Sequence, residues 1–486
     1  MVAVLLPVAG ILASFVGGGR AAARIMLLAA PLVIVIAGAI AIQIGYSGQP
    51  LVYTVAAIAP PLGIALRADG LSAIMMLTTA AIMPAAALYA RAAFEPPNGI
   101  SDSRESLTFW IMLQAIQAAL TLIFVGSDMF NLYVALELLT FAAVPLVCID
   151  GRVETMTAAL RYLLFALAGS ICYLLGTALL YGEFGTLDMA LLAQRMRPAP
   201  AVWLASGLMT AGLLAKTALL PLHLWLPPAH ANAPAAASAV LSSLVVKGSF
   251  FIILRLWFDI LPILPAQSVD VVLGLLGSTA VIVGSALALR QARLKLLIAY
   301  STVAQIGYLF LVFPLASGAN AGASLGWRGG IMQILAHAFA KAAMFLSAGV
   351  LAQALGHDRI AKFEGAGRAL PLTFFTLALA GLSLVGLPPS GGFSAKWLML
   401  QAAIASGQWL WSIPILAGGV MAAGYMFRIL TPAFADGTAA IVNSPDRTQG
   451  AVALGLALVA IALGFVPPAF FDFLEIGRTA AALVAK

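Results

Sequence analysis

The chain has 486 residues, 63% of them hydrophobic and only 9% charged, with a mean hydropathy of +1.05. No soluble domain has that balance, so the composition excludes a soluble enzyme or binding module and specifies a polytopic membrane protein. The formal net charge of +7 comes without a basic patch carrying interleaved aromatics, which speaks against nucleic acid; loop arginines obeying the positive-inside rule account for it.

The N-terminus, MVAVLLPVAGILASFVGGGRAAAR, has no charge before its apolar run and reads as a first span rather than a signal peptide. Gly17-Gly18-Gly19 lies at a helix end and is no phosphate loop. Apolar segments follow at roughly 25–45, 71–90, 107–125, 129–149, 156–181, 201–221, 235–257, 270–289, 295–315, 329–352, 370–405, 409–431 and 449–470. With the first at 2–17 they make an all-α membrane protein of about fourteen spans at ~20 residues each. The segment LVYTVAAIAPPLGIAL at 51–66 carries Pro60-Pro61 and is expected to be an extramembrane loop or hairpin. The expected organisation is 1–106 for three N-terminal spans and that hairpin-like loop, and 107–257 and 270–431 for two five-helix units. The last span and tail occupy 432–486.

The fifth span, FNLYVALELLTF, holds Glu137, the one carboxylate well inside a span; Asp128 and Asp150 flank that helix. A lone buried carboxylate calls for a cation. It forms either a fixed ion pair or a pair whose tightness sets how firmly a lysine holds its proton. Cys148 and Cys172 lie in apolar spans without metal-ligand spacing and read as packing residues.

The stretch MTAGLLAKTALLPLHLWLPPAHANAPAAASAVLSSLVVKGSF, Met209 to Phe250, puts Lys216 and Lys247 inside two apolar spans. Between them lies a break that contains Pro221, His223, Pro227, Pro228, His230 and Pro234. A lysine in hydrocarbon costs roughly 2.5–3.5 kcal/mol on insertion scales, and proline frees backbone groups that lipid cannot satisfy. Both liabilities in one place point to a protein-lined, hydrated site. His223 and His230 are candidate relays. Ser238, Ser242, Ser243 and Ser249 around Lys247, and Tyr300, Ser301, Thr302, Gln305 and Tyr308 on the tenth span, either line a chain of waters or pack helices.

In the eleventh span, MQILAHAFAKAAMFLSAG, His337 and Lys341 are four apart and share a helix face. The histidine is either a proton relay or satisfied by a backbone carbonyl. The twelfth span, LSLVGLPPSGGFSAKWLML, is interrupted at Gly386, Pro388, Pro389, Gly391 and Gly392 and then carries Lys396. Two interrupted helices five spans apart, each with a lysine near its break, suggest inverted repeats over spans four to eight and nine to thirteen.

Of the 25 lysines and arginines, 14 fall on the side reached after odd-numbered spans and 7 on the other, which places both termini outside the cytoplasm. The four that remain, Lys216, Lys247, Lys341 and Lys396, are all lysines, and no arginine sits as deep. Arginine keeps its proton at any relevant pH, whereas a buried lysine can release it. The choice of lysine therefore favours proton handling over static pairing. There is no Walker A motif, no strand-flanked GxGxxG and no cysteine set for an iron–sulfur cluster. The chain is expected to use neither a cofactor nor a metal, and its energy source is an ion gradient or a partner subunit.

KTALLPLHLWLPPAHANAP followed by LVVKGSF, HAFAKAAMFLSAG, and GLSLVGLPPSGGFSAKW resemble the antiporter-like subunits of respiratory complex I. They also resemble the D-type subunits of multi-subunit Mrp Na+/H+ antiporters and the matching subunits of membrane-bound hydrogenases. The resemblance runs from about residue 105 to 430. It implies fourteen spans with two inverted five-helix repeats, each with one broken helix. It implies Glu137 and Lys216 as the coupling pair, Lys247 and His337 on a central hydrophilic axis with Lys341 beside it, and Lys396 as the terminal lysine. The sequence departs from many relatives at Pro228, where they carry aspartate, and at Asn232, where they carry glutamate; both changes argue against a cation site near His230. Lys396 and the His337–Lys341 pair each distinguish the chain from particular complex I subunits, so a D-type or hydrogenase-type subunit, or an unusual complex I relative, fits best.

The expected function is proton translocation, with cation exchange left open, by a membrane subunit of a larger complex in a prokaryotic inner membrane. Its partners would be other membrane subunits, protons with or without Na+, and lipid. Two alternatives remain: the pumping subunit of a complex I-like dehydrogenase or hydrogenase, and a non-conducting scaffold.

Overall fold

The computed structural model describes residues 1–94, 103–261, 267–317 and 322–478; Lys486, one of the cations counted above, lies outside them. Helix α1 (Val2–Ser47) is followed by a hairpin of β1 (Leu51–Thr54) and β2 (Ala65–Ala68), paired antiparallel with Leu51 opposite Ala68. Helices α2 (Gly70–Phe94), α3 (Arg104–Val125), α4 (Met129–Val147) and α5 (Val153–Phe184) come next, then the short α6 (Met189–Arg195), α7 (Pro200–Thr217) and α8 (Leu226–Asn232). Helices α9 (Ala235–Val240) and α10 (Val246–Leu254) are joined by a π-turn at Leu241–Val245, and a second π-turn at Arg255–Ile260 prolongs them. The second half comprises α11 (Gln267–Leu289), α12 (Leu294–Phe310), α13 (Val312–Ala316), α14 (Ala323–Leu355), the single turn α15 (Ala366–Ala369), α16 (Pro371–Val385), α17 (Gly391–Ala405), α18 (Ser412–Phe434), α19 (Arg447–Ala462) and α20 (Pro468–Glu475).

Among the described residues eleven helices are long and apolar enough to cross a membrane. The longest, α1, is two segments that meet at Gly18, whose φ of 78° lies in the left-handed region that glycine adopts without a Cβ penalty. Two more elements are interrupted, α7 from α8 and α16 from α17, so the chain has two broken helices where the proline-rich stretches lie. The peripheral α1 shows only 17% of its most apolar window buried, while the most apolar windows of Ala235–Ile260 and Ala323–Leu355 are buried entirely and that of Leu294–Ala316 to 89%. The three helices that carry Lys247, Lys341 and the tenth-span polar residues thus form the centre, with neighbours rather than lipid on most sides.

Small residues let the helices approach closely. Gly169 of α5 faces Gly212 of α7, and a Cβ at Gly169 would lie 2.6 Å from the Gly212 carbonyl oxygen. Backbone cannot yield there as a side chain can. Gly169→Val is therefore expected to cost about 1–3 kcal/mol by overpacking. It should shift thermal loss of the monodisperse gel-filtration peak in mild detergent to lower temperature. Unchanged thermal resistance would show that α5 and α7 are not locked by this contact.

One sequence expectation needs correction. Arg255, counted with the cations of one side, is buried in the last turns of its span. Its guanidinium donates to Asp69 at 2.6 Å, to Asp259 at 2.9 Å and to Ser72 Oγ at 3.1 Å, and lies 4.8 Å over the Phe251 ring. The pattern missed this because Asp69, the residue preceding α2, is 186 residues away in sequence. A buried arginine is tolerable here because two carboxylates neutralise it.

Candidate functional site

The first break begins where α7 ends. Ala218 takes φ 59°, ψ 40°, and Leu219 N–H closes back onto the Leu214 carbonyl at 3.1 Å while Ala218 N–H bonds Ala215 O at 3.2 Å. This is a Schellman ending with alanine at the left-handed position that glycine usually holds. Trp225 Nε1 donates to the Ala215 carbonyl at 2.9 Å, so the residues after the break cap the helix before it. Pro221 and His223 lie in that connection and His230 in α8.

Lys216 occupies the last turn of α7, the end at which the helix dipole favours a cation. Its Nζ donates to Glu137 Oε1 of α4 at 3.1 Å and to Thr140 Oγ1, nearly one turn further along α4, at 3.0 Å. The same Glu137 oxygen accepts the Ser170 hydroxyl of α5. Glu137 and Lys216 are thus brought into direct contact, with side-chain exposures of 14% and 6%. A cavity of about 10 Å³, at the lower limit for one water, lies beside the pair, lined by Thr140, Tyr162, Lys216, Val245 and Ser249 among others.

Separate buried polar contacts lie between this pair and the second half. Thr217 Oγ1 donates to Ser249 Oγ at 2.9 Å, which ties α7 to α10. Lys247, fully buried in the first turn of α10, donates to the Ser242 carbonyl inside the preceding π-turn. A π-turn adds a residue and leaves backbone acceptors off the regular ladder, and here the lysine takes one. Ser242 Oγ lies 2.9 Å from Thr302 Oγ1 of α12. Lys341 of α14, also fully buried, donates to the Ile298 carbonyl at 2.9 Å and to the Ser301 hydroxyl, both on α12. Further along α12, Gln305 bonds Gln333 of α14 at 2.8 Å and the Leu384 carbonyl of α16 at 3.2 Å.

The second break ends α16 at Gly386, φ 88°, where a Cβ would sit 2.7 Å from Lys396 Cδ. Glycine is needed there both for the backbone and for the lysine that passes over it. Pro388 and Pro389 lie in this connection before Ser390 caps α17. Lys396 Nζ folds back to the Leu384 and Val385 carbonyls at 2.6 and 2.9 Å, the orphan acceptors at the end of α16, with the Tyr308 ring at 4.6 Å. Each break therefore presents an ammonium at the C-terminal end of a half-helix. Lys216 has a carboxylate partner; Lys396 has carbonyls and a ring face.

His337 is fully buried with both ring nitrogens lacking a protein hydrogen-bond partner, and its ionisable neighbours are Lys247, Lys341 and His230. His230 is buried in the same state, its ring 5.4 Å from that of Phe345. His223 Nδ1 likewise has no protein partner. Sequence reasoning missed Ser170 and Thr140, which complete the Glu137–Lys216 pair, and Trp225, which caps α7. It also missed Lys295, whose Nζ reaches the Ala233 carbonyl behind α8 rather than solvent. The i, i+3 spacing of Glu137 and Thr140 was the one local signal for any of these. Among the described residues no group of three His, Cys, Asp or Glu side chains is placed to hold a metal ion.

Residues 126–422 match the profile of the NADH:quinone oxidoreductase/Mrp antiporter transmembrane family. The chain is 34% identical over 422 residues to NADH-quinone oxidoreductase subunit N of Desulforudis audaxviator, covering 85% of this chain and 81% of that one. It is 29% identical over 377 residues to the D-type Na(+)/H(+) antiporter protein of Alkalihalophilus pseudofirmus, covering 77% and 74%. Its fold is similar to a chain of the membrane-bound sulfane sulfur reductase, an archaeal respiratory membrane complex, with a TM-score of 0.87 at 27% identity, covering 98% of this chain and 96% of that one.

Proposed function

The chain belongs to the NADH:quinone oxidoreductase/Mrp antiporter transmembrane family, and from that premise we propose that it is the proton-translocating membrane subunit of a multi-subunit complex. The carrying observation is the Glu137–Lys216 ion pair at the end of a broken half-helix; separate buried polar contacts among α7, α10, α12, α14, α16 and α17 support the reading. Protons pass along Lys216, Lys247, His337 with Lys341, and Lys396, with water between them. Glu137 sets when Lys216 lets go of its proton: drawing the carboxylate away leaves an ammonium in low dielectric, which favours release. The proposal includes fourteen spans, obtained by dividing α1 at Gly18 and counting each broken helix once, two inverted repeats over 107–257 and 270–431, and both termini outside the cytoplasm of a prokaryotic inner membrane.

The transported ion is the proton rather than Na+. His230 has Lys341, Lys247 and Lys295 as ionisable neighbours, and Pro228 and Asn232 place no carboxylate beside it. With three basic side chains and no carboxylate among its ionisable neighbours, His230 offers Na+ no anionic ligand but can still pass a proton between neutral bases.

Purification from native membranes in mild detergent, with mass spectrometry of the co-purifying subunits and an iron assay, tests the partner assignment. Stoichiometric iron with hydrophilic redox subunits makes this the pumping arm of a redox-driven complex. Small hydrophobic partners without iron make it an antiporter-type subunit, and a chain that purifies alone overturns the multi-subunit reading.

A further inference from the structure

Helix α5 packs against both α7 and α8, the two sides of the first break. Ala166, Gly169 and Ser170 follow Tyr162 by four, seven and eight residues, so the four share one face of α5. The Ser170 hydroxyl donates to Glu137 of α4, and Gly169 lets the α7 backbone approach at Gly212. About two turns earlier Tyr162 stacks on Trp225, the residue before α8, with ring centroids 4.1 Å apart and planes 8° apart. Both rings are buried.

The Trp225 indole joins the two sides of the break. Its Nε1 donates to the carbonyl of Ala215, the residue before Lys216, at 2.9 Å. The same carbonyl accepts the Ala218 N–H at 3.2 Å, and Ala218 is the alanine held at φ 59°. Alanine takes that left-handed position less readily than glycine, so the ending gains from a hold outside α7. Helix α5 thus reaches the ion pair from both partners: through Ser170 to the carboxylate, and through Tyr162 and Trp225 to the turn that carries the ammonium.

The geometry points to Tyr162 and Trp225 as positioning residues for Lys216: the stacked rings and the indole cap hold the end of α7 so that the Lys216 ammonium stays at Glu137, and loosening the stack parts the pair. This rests on the proposed translocation function and names what sets the spacing of its ion pair. Among the described residues Glu137 is the one ionisable group that pairs with Lys216. The other side chains around the adjoining cavity are uncharged: Leu136, Leu139 and Thr140 from α4, Tyr162 and Ala166 from α5, and Val245 and Ser249 from the span that carries α10. An ammonium parted from its carboxylate in low dielectric releases its proton at lower pH.

Tyr162→Leu removes the stack, Tyr162→Phe keeps it, and Trp225→Phe keeps a ring but loses the N–H. Vesicles containing the assembled complex, energised through it, would be compared for these variants, wild type and Lys216→Ala over a series of bulk pH values, with proton movement read by a pH-sensitive dye and assembly by native gel. In Tyr162→Leu and Trp225→Phe the alkaline fall of the transport rate is expected to move down by about one pH unit, the low end for loss of a charge partner, while Tyr162→Phe keeps the wild-type profile. A side chain that only fills space alters assembly or the overall rate and leaves the profile in place. Unshifted profiles in Tyr162→Leu and Trp225→Phe, with Lys216→Ala inactive, overturn the positioning role and leave the translocation function standing. Equal shifts in Tyr162→Phe and Tyr162→Leu overturn the stack as the cause, since the hydroxyl would then be the operative group. Wild-type transport by Lys216→Ala overturns both readings. Where Tyr162→Leu prevents assembly, Trp225→Phe decides by the same shift.

Discussion

Lys216→Ala is expected to abolish coupled proton movement, by roughly two orders of magnitude or more, while the complex still assembles. The structure supports both halves of that expectation. Among the described residues Lys216 is the only cation in a salt bridge with Glu137, so without it the carboxylate has nothing to act on. Assembly survives because Glu137 keeps the Ser170 hydroxyl and a partly exposed position, with side-chain exposure of 14%. Lys216→Arg is the sharper companion. A guanidinium preserves the ion pair with Glu137 and the favourable position at the end of α7, but it does not give up its proton. Loss of transport with arginine, at unchanged assembly, identifies proton release as the function of Lys216. Full transport with arginine would mean that the pair is a static tie and that protons travel elsewhere.

Lys341→Met is expected to reduce transport about as severely and to leave stability nearly unchanged. Methionine matches the reach of the lysine stem and removes only the ammonium. Replacing a buried ion by an apolar group of similar volume is often neutral or stabilising. The acceptors left behind are not orphaned: Ser301 Oγ still bonds the Ile298 carbonyl at 2.8 Å, and that carbonyl also accepts Thr302 Oγ1 at 3.0 Å. Transport, however, would lose the ammonium that joins α14 to α12 beside His337 and Lys247. The measurement is dye-reported proton movement together with thermal unfolding of the purified complex. A large fall in unfolding temperature at normal transport would reverse the assignment and make Lys341 a structural cross-link. Similar losses in Lys216→Ala and Lys341→Met also exclude a non-conducting scaffold, since a scaffold requires neither proton carrier.

The hydrophobic pattern made the class of protein legible, because a span must be ~20 apolar residues whatever surrounds it. The same rule exposed Lys216, Lys247, Lys341, Lys396 and Glu137, since an ionisable group inside such a run has no bland surface reading. Proline and glycine chemistry placed the two interruptions, because lost donors and left-handed backbone are local properties. Where the pattern failed, the deciding contact was distant in sequence. Arg255 and Lys295 each sit near a span end, where a cation ordinarily reaches water. Only the packing shows one turned onto Asp69 and the other onto the Ala233 carbonyl.

The sequence by itself determined a helical membrane protein with lysines in mid-span, on two broken helices and their neighbours, because hydropathy, proline and the lysine–arginine distinction act residue by residue. Tertiary structure alone decided which of those charges meet. It gave Lys216 a carboxylate and Lys396 the carbonyls of α16 with the Tyr308 ring, and it made α12 the element on which both halves converge. Partners such as Glu137 and Lys216, 79 residues apart, are chosen by how helices pack, and no local spacing encodes that choice.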